Sequence, residues 1–247
     1  MLLVVLLPLL AACAGSVASR QAVRLQRPLP PPPPQGAAFV AEQLVKTDID
    51  RVADCARQEV FASLHLLAEK LYRRNPAEWR KSGAASLEEA LARLSAADHG
   101  WRFAELQGFY GVDAMQLALL ENYAGDRVLA LIGGLGGMMQ NAFNDKTEFF
   151  MLDDLDPQRL HNSARNVEIA VWRLSNARNA EGALLLLSNE PAHADQPANL
   201  SFEREFGRVT GQLDLLARIV ADKSNRTIAR VFQSIASAVF LPVAAVK

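Results

Sequence analysis

The chain holds only two cysteines, Cys13 and Cys55, among its 247 residues. A disulfide framework is excluded, so the fold must rest on its hydrophobic core. Charge imbalance is also missing. There are 26 Lys and Arg against 27 Asp and Glu, a formal net charge of −1. That balance gives no sign of nucleic acid or an anionic sheet as a general partner. No apolar run approaches the roughly 20 residues that a membrane-spanning helix needs. Catalytic spacings are absent as well. There is no HExxH and no GxSxG, and His65, His99, His161 and His193 are scattered. None of the four has a partner at metal-ligand spacing, so neither a metal site nor a cofactor is expected. No internal repeat of fixed period is visible. What is present is apolar mass: 50% of residues are hydrophobic and 21% charged, a globular balance.

The N-terminal stretch is the most informative one. An apolar run, Leu2 to Leu10, leads into Ala11-Ala12-Cys13 and then Ala14-Gly15-Ser16. Its length of about nine residues fits the h-region of a signal peptide. Leu10-Ala11-Ala12-Cys13 resembles the lipobox of bacterial lipoproteins, in which a cysteine thiol is diacylated and becomes the new N-terminus after cleavage. The resemblance implies that residues 1–12 are a signal peptide and that Cys13 is the lipidation site, carrying palmitate-type chains. Two or three chains anchor a protein durably, where one holds it only marginally. By resemblance to the sorting of Gram-negative lipoproteins, Ala14 does not retain the chain in the inner membrane. The periplasmic face of the outer membrane is then the expected location. Cys55 would be left without an intramolecular partner; on a helical pattern it is expected to be a small buried hydrophobe, with a reactive or intermolecular thiol as the alternative.

Residues 13–36 read as a linker. They carry Arg20, Arg24 and Arg27, then Pro28-Leu29-Pro30 and Pro31 to Pro34. Consecutive prolines favour polyproline II, at about 3.1 Å per residue, so the segment reaches up to about 70 Å when extended. The arginines are either part of a solvated linker or contacts to anionic headgroups, at about 1 kcal/mol each.

Residues 37–247 are expected to be one all-α domain, an irregular multi-helix bundle. Val40, Leu44, Val52, Val60, Leu64, Leu67 and Leu71 recur at helical spacing from Phe39 to Arg74. The pattern predicts one long helix, bent near Asp48-Ile49-Asp50. Asn75-Pro76 predicts a stop and a restart, with Asn75 as N-cap and Glu78 closing a capping box. The corner carries Tyr72, Arg73, Arg74, Trp79, Arg80 and Lys81. It reads as a solvated helix corner with Trp79 turned inward, or as a patch for phosphate-bearing lipid or an acidic partner. Ser86 and Glu89 open a short helix to about Ala97. Trp101 to Gly111 reads as a loop, followed by a helix Ala114 to Tyr123 capped by Asp113.

Val128 to Asn144 passes about seventeen residues without a charge, and Gly133, Gly134, Gly136, Gly137 and Met138 lie in its middle. Close packing of a central helix is the favoured reading, since glycine permits near backbone approach. A ligand-gripping or membrane-inserting segment is the alternative. A phosphate loop fails, because the Rossmann third glycine and a GK[ST] are missing. The acidic stretch Asp145 to Asp156 is better explained by capping, with Asp156 before Pro157, than by Ca²⁺ or Mg²⁺. Amphipathic helices are predicted over 157–178 and 202–220, and a last one from Ile228 to Val239. His161 stands one turn before Arg165 with acids upstream; a surface or capping role outweighs that of a general base.

The block from Gly125-Asp126-Arg127 to Trp172-Arg173-Leu174, with Glu148-Phe149-Phe150 and Ser163-Ala164-Arg165-Asn166 inside it, resembles a group of helical Gram-negative lipoproteins. That resemblance implies an envelope location and no activity. The expected function is therefore that of a membrane-tethered, periplasmic, non-enzymatic interaction or assembly factor. Its partners would be the membrane, through lipidated Cys13, and an envelope protein; no nucleic acid is expected. The alternatives are a binder or carrier of an apolar or lipidic ligand between helices, lined by Gly133 to Met139, and an envelope enzyme.

Overall fold

The computed structural model describes residues 46–96, 100–150, 153–191, 197–230 and 233–243, all within one unit spanning Val40–Lys247. Cys13, the proline-rich linker, His99 and His193 lie outside the described residues. The fold is all-α. Seven α-helices follow in order: α1 Asp48–Arg74, α2 Pro76–Lys81, α3 Leu87–Ser95, α4 Val112–Ala118, α5 Arg127–Ala142, α6 Pro157–Asn176 and α7 Ser201–Ser224. Among the described residues, β structure is limited to two isolated bridges, Arg178 with Leu184 and Glu190 with Asn199. No helix among them is long and apolar enough to cross a membrane.

The place where a bend is expected is where α1 begins. Thr47 Oγ1 accepts from Asp50 N at 3.3 Å, and Asp50 Oδ2 accepts from Thr47 N at 2.7 Å. This reciprocal capping box satisfies two orphan amides and starts the helix sharply. The buried stripe of α1 then runs through Ala53, Ala56, Val60, Leu64, Leu67 and Leu71. Val52, expected in that stripe, is 40% exposed. Small alanines take its place because α1 packs against both α5 and α7. Cys55 is exposed, not buried as expected; it falls on the outward face two residues after Ala53.

Asn75 ends α1 and is the N-cap of α2, as expected, but its side chain makes no capping hydrogen bond there. Its side chain instead donates to Leu71 O at 2.8 Å and Leu187 O at 2.9 Å, and accepts from Leu187 N at 2.8 Å. Glu78 is likewise redirected. It is buried, and its Oε2 accepts the backbone N–H of Arg127 at 2.8 Å. A carboxylate there favours the positive end of the α5 dipole. At the same corner Trp79 is packed against the core, with the Arg80 guanidinium over its ring.

Helix α5 is the centre of the molecule, packed against α1, α2, α4 and α6. All its residues except Gln140 and Asn141 are buried. Asp126 caps it, accepting from Leu129 N at 2.9 Å and from the buried Tyr72 hydroxyl at 2.9 Å. Burial drives the Asp126 carboxyl above its ordinary range, and those two donors offset part of the cost. Arg127 is buried too. It donates to Ala118 O, Leu120 O and Glu121 O, so it satisfies carbonyls left open at the end of α4. The cap of α4 is Gly111 at φ +56°, two residues earlier than the expected Asp113, and α4 stops at Ala118.

The predicted last helix is not found among the described residues. Asn225 terminates α7 in the left-handed conformation, and the described residues of 226–243 form no helix. The chain instead lies along α6, whose polar side chains take its backbone groups. Asn166 is fully buried; it donates to Leu241 O at 2.8 Å and accepts from Leu241 N at 2.6 Å. Asn162 donates to Pro242 O, Arg159 to Val243 O and Arg173 to Ala238 O. Gln158 exchanges two bonds with Ala229. A helix would use those backbone groups internally and leave the buried asparagine unpaired.

Candidate functional site

The glycine-rich segment is filled by the protein itself. A side chain at Gly134 would meet Met115 N at 2.6 Å and Gly111 O at 2.7 Å, both backbone atoms of the α4 turn. At Gly133 it would meet Phe103, at Gly136 the Trp101 ring, and at Gly137 the Tyr110 ring. Met138 is 1% exposed, and its sulfur lies 3.4 Å from Asn166 Nδ2. These glycines let the Trp101–Gly111 loop and α4 sit directly on α5. The acids of 145–156 are engaged in local structure. Asp153 accepts from Phe150 N and pairs with Lys146, and Asp156 accepts from Gln158 N to cap α6. Among the described residues no three His, Cys, Asp or Glu side chains converge on a metal position.

A polar cleft of about 750 Å³ opens where α6, α7 and the chain after α7 meet. Three elements supply its walls. Helix α6 contributes His161 and Arg165, one turn apart on one face. Helix α7 contributes Asp214, Arg218 and Asp222, spaced by four so that they share a face. The descending chain contributes Asn225, Arg226, Thr227 and Arg230. The left-handed turn at Asn225 sends that chain back past α6 and forms the third wall.

Electrostatics within the cleft are uneven. Arg165 pairs with Asp214 at 2.5 Å and Glu168 at 3.0 Å, and its Nε is buried with no hydrogen-bond partner. Arg226 pairs with Asp154 at 2.8 Å. Among the described residues, Arg218 and Arg230 form neither an ion pair nor a side-chain hydrogen bond, and both are exposed. Four arginines thus face two aspartates, Asp214 and Asp222. The His161 imidazole lies 3.5 Å from Asp214. Its pKa is held below the ordinary histidine value, first by burial and then by Arg165 and Arg230, with Asp214 opposing. At neutral pH it is uncharged and offers one donor and one acceptor.

His161 and Arg165 were legible as a pair one turn apart on α6. Their partner is Asp214 of α7, not the acids upstream. Arg218, Arg226 and Arg230 escape sequence reasoning because they come from the outward face of α7 and from a segment whose pattern predicts a helix. The signal that was available is the second periodicity of α7, Asp214, Arg218, Asp222 and Asn225, opposite its apolar stripe. No family model, curated protein or solved structure matches this chain.

Proposed function

We propose that this protein is a lipid-anchored helical module on the periplasmic face of the outer membrane, working as a non-enzymatic interaction or assembly factor of the envelope. The observation that carries the reading is an order of segments: apolar run, Ala-Ala-Cys13, proline-rich linker, then an all-α unit. Each is what a tethered module needs, namely an export signal, an acyl acceptor, a spacer and a folded head. The chemistry of the cleft supports recognition over catalysis. Asp214 pairs with Arg165 and lies 3.5 Å from the His161 ring, and the one hydroxyl among the described lining side chains belongs to Thr227. A guanidinium-rich wall binds and orients; a nucleophile beside an imidazole is what a hydrolase of the triad type requires.

Affinity capture of the full chain from intact cells crosslinked before lysis tests the interaction role. The expected result is one envelope protein recovered repeatedly and in proportion to the bait. Recovery of the chain alone across growth conditions would count against the role. His161→Gln separates the enzyme alternative: a binding module keeps its captured partner and its cellular role, whereas an enzyme using His161 as a base keeps the partner and loses the role.

A further inference from the structure

We propose that the cleft between α6 and α7 is a binding site for a phosphate-bearing anion, held by Arg218 and Arg230. The inference goes beyond the anchored-module reading and does not depend on acylation or on a protein partner.

Charge is the first argument. Of the four guanidiniums, those of Arg165 and Arg226 are already matched by carboxylates. Arg218 and Arg230 are unmatched among the described residues, although the chain as a whole carries one more acid than base. Asp222 is the one acid among the described lining residues outside these pairs. Two unmatched guanidiniums beside one unmatched carboxylate leave the recess net positive, which favours an anion.

Donor geometry is the second. Guanidinium presents a planar fork of N–H groups that matches phosphate oxygens two at a time. A phosphate monoester brings about −1.5 to −2 charge and three acceptor oxygens, enough for two forks. A monocarboxylate brings half of that charge. Neutral His161, in the same wall, can add a neutral N–H without repelling Arg165.

Size is the third. A volume of about 750 Å³ exceeds a bare phosphate and accommodates the group to which it is esterified. That group is either the glycerol of a lipid headgroup or a soluble ester; the phosphate chemistry is common to both.

Calorimetric titration of the full chain, held in a neutral detergent at low ionic strength, tests the proposal. The probes are glycerol phosphate, dihexanoylphosphatidic acid and glutarate. Saturable binding of a phosphate probe is expected, weakening as salt rises. Arg218→Ala and Arg230→Ala should each weaken it about tenfold or more, as loss of a charge-assisted hydrogen bond does. Arg218→Lys should retain part of the affinity, and Arg51→Ala, which removes an exposed charge on α1, should leave it unchanged. Tighter binding of the short-chain lipid than of glycerol phosphate assigns the source to a headgroup; equal binding assigns it to a soluble ester. Circular dichroism melts check that the variants fold. Should one fail to fold, the wild-type His161 ring signals decide: they move in step with phosphate saturation if the cleft is the site. No saturable binding of either phosphate probe overturns the proposal. So do wild-type affinity in both alanine variants, glutarate binding as tightly as phosphate, and His161 signals unmoved at saturation.

Discussion

Gly134 and Gly207 are both helical glycines, and substituting each by alanine should move stability in opposite directions. At Gly134 the new methyl meets backbone atoms of Gly111 and Met115, which cannot move without unseating α4. Overpacking of this kind costs about 1–3 kcal/mol. At Gly207 and Gly211 nothing lies within 4 Å of the added carbon. There the gain in helix propensity should stabilise by about 0.5–1 kcal/mol each. Denaturant melts of Gly134→Ala and Gly207→Ala check both signs; a Gly134→Ala chain as stable as wild type would refute the packing account of α5. His161 gives a pH dependence. Its folded pKa is depressed, so between the ordinary value near 6.5 and the folded value the unfolded chain binds more protons. The stability contributed by neutral His161 is therefore full above about pH 6.5 and is lost as pH falls through that window. His161→Gln should flatten the pH profile of the melting temperature there, with Arg165, Asp214 and Arg230, which face the ring, left in place.

Among the elements, the chain after α7 depends on single side chains of α6. Asn166→Ala removes both hydrogen bonds to Leu241 and leaves a buried N–H and C=O unpaired, at a cost of about 1–3 kcal/mol. Hydrogen exchange of the Leu241 amide is the direct readout: slow in wild type and fast in the variant. Equal protection in both would mean that the segment is held by its apolar contacts alone. This segment also marks where the sequence stops being legible. Helices α1, α3, α5, α6 and α7 follow from local signals: the 3.6-residue spacing, Ser86, Asp126 and Asp156 as caps, Pro157 at the first turn. Each is decided within a few residues of chain. The chain from Ile228 to Val239 has the same spacing, but its described residues are not helical, because the deciding partners lie on α6. Ile235 and Val239, members of its predicted stripe, are 41% and 64% exposed. Glu78 and Cys55 failed for a related reason. Their types suit a capping box and a core, but the α5 N-terminus and solvent claimed them; Asn75 holds its N-cap position while its side chain bonds Leu187. The cleft was half legible. His161 and Arg165 share one helix; Asp214, Arg218 and Arg230 join them only through the packing of α6 on α7 and the turn at Asn225.

For the whole molecule, the proposed function turns on how the helical unit is held. A cleft of matched and unmatched arginines can act in solution or at a surface, and the proposed acylation of Cys13 would decide which. Thiolate chemistry forms the thioether to diacylglycerol, and serine cannot replace it. The most direct test is palmitate labelling with membrane flotation of wild type, Cys13→Ser and Cys55→Ser, followed by protease treatment of intact and permeabilised cells. Wild type and Cys55→Ser should label, float with the outer membrane and resist protease until the outer membrane is opened, while Cys13→Ser should neither label nor mature. Labelling and outer-membrane flotation of Cys13→Ser would contradict the account.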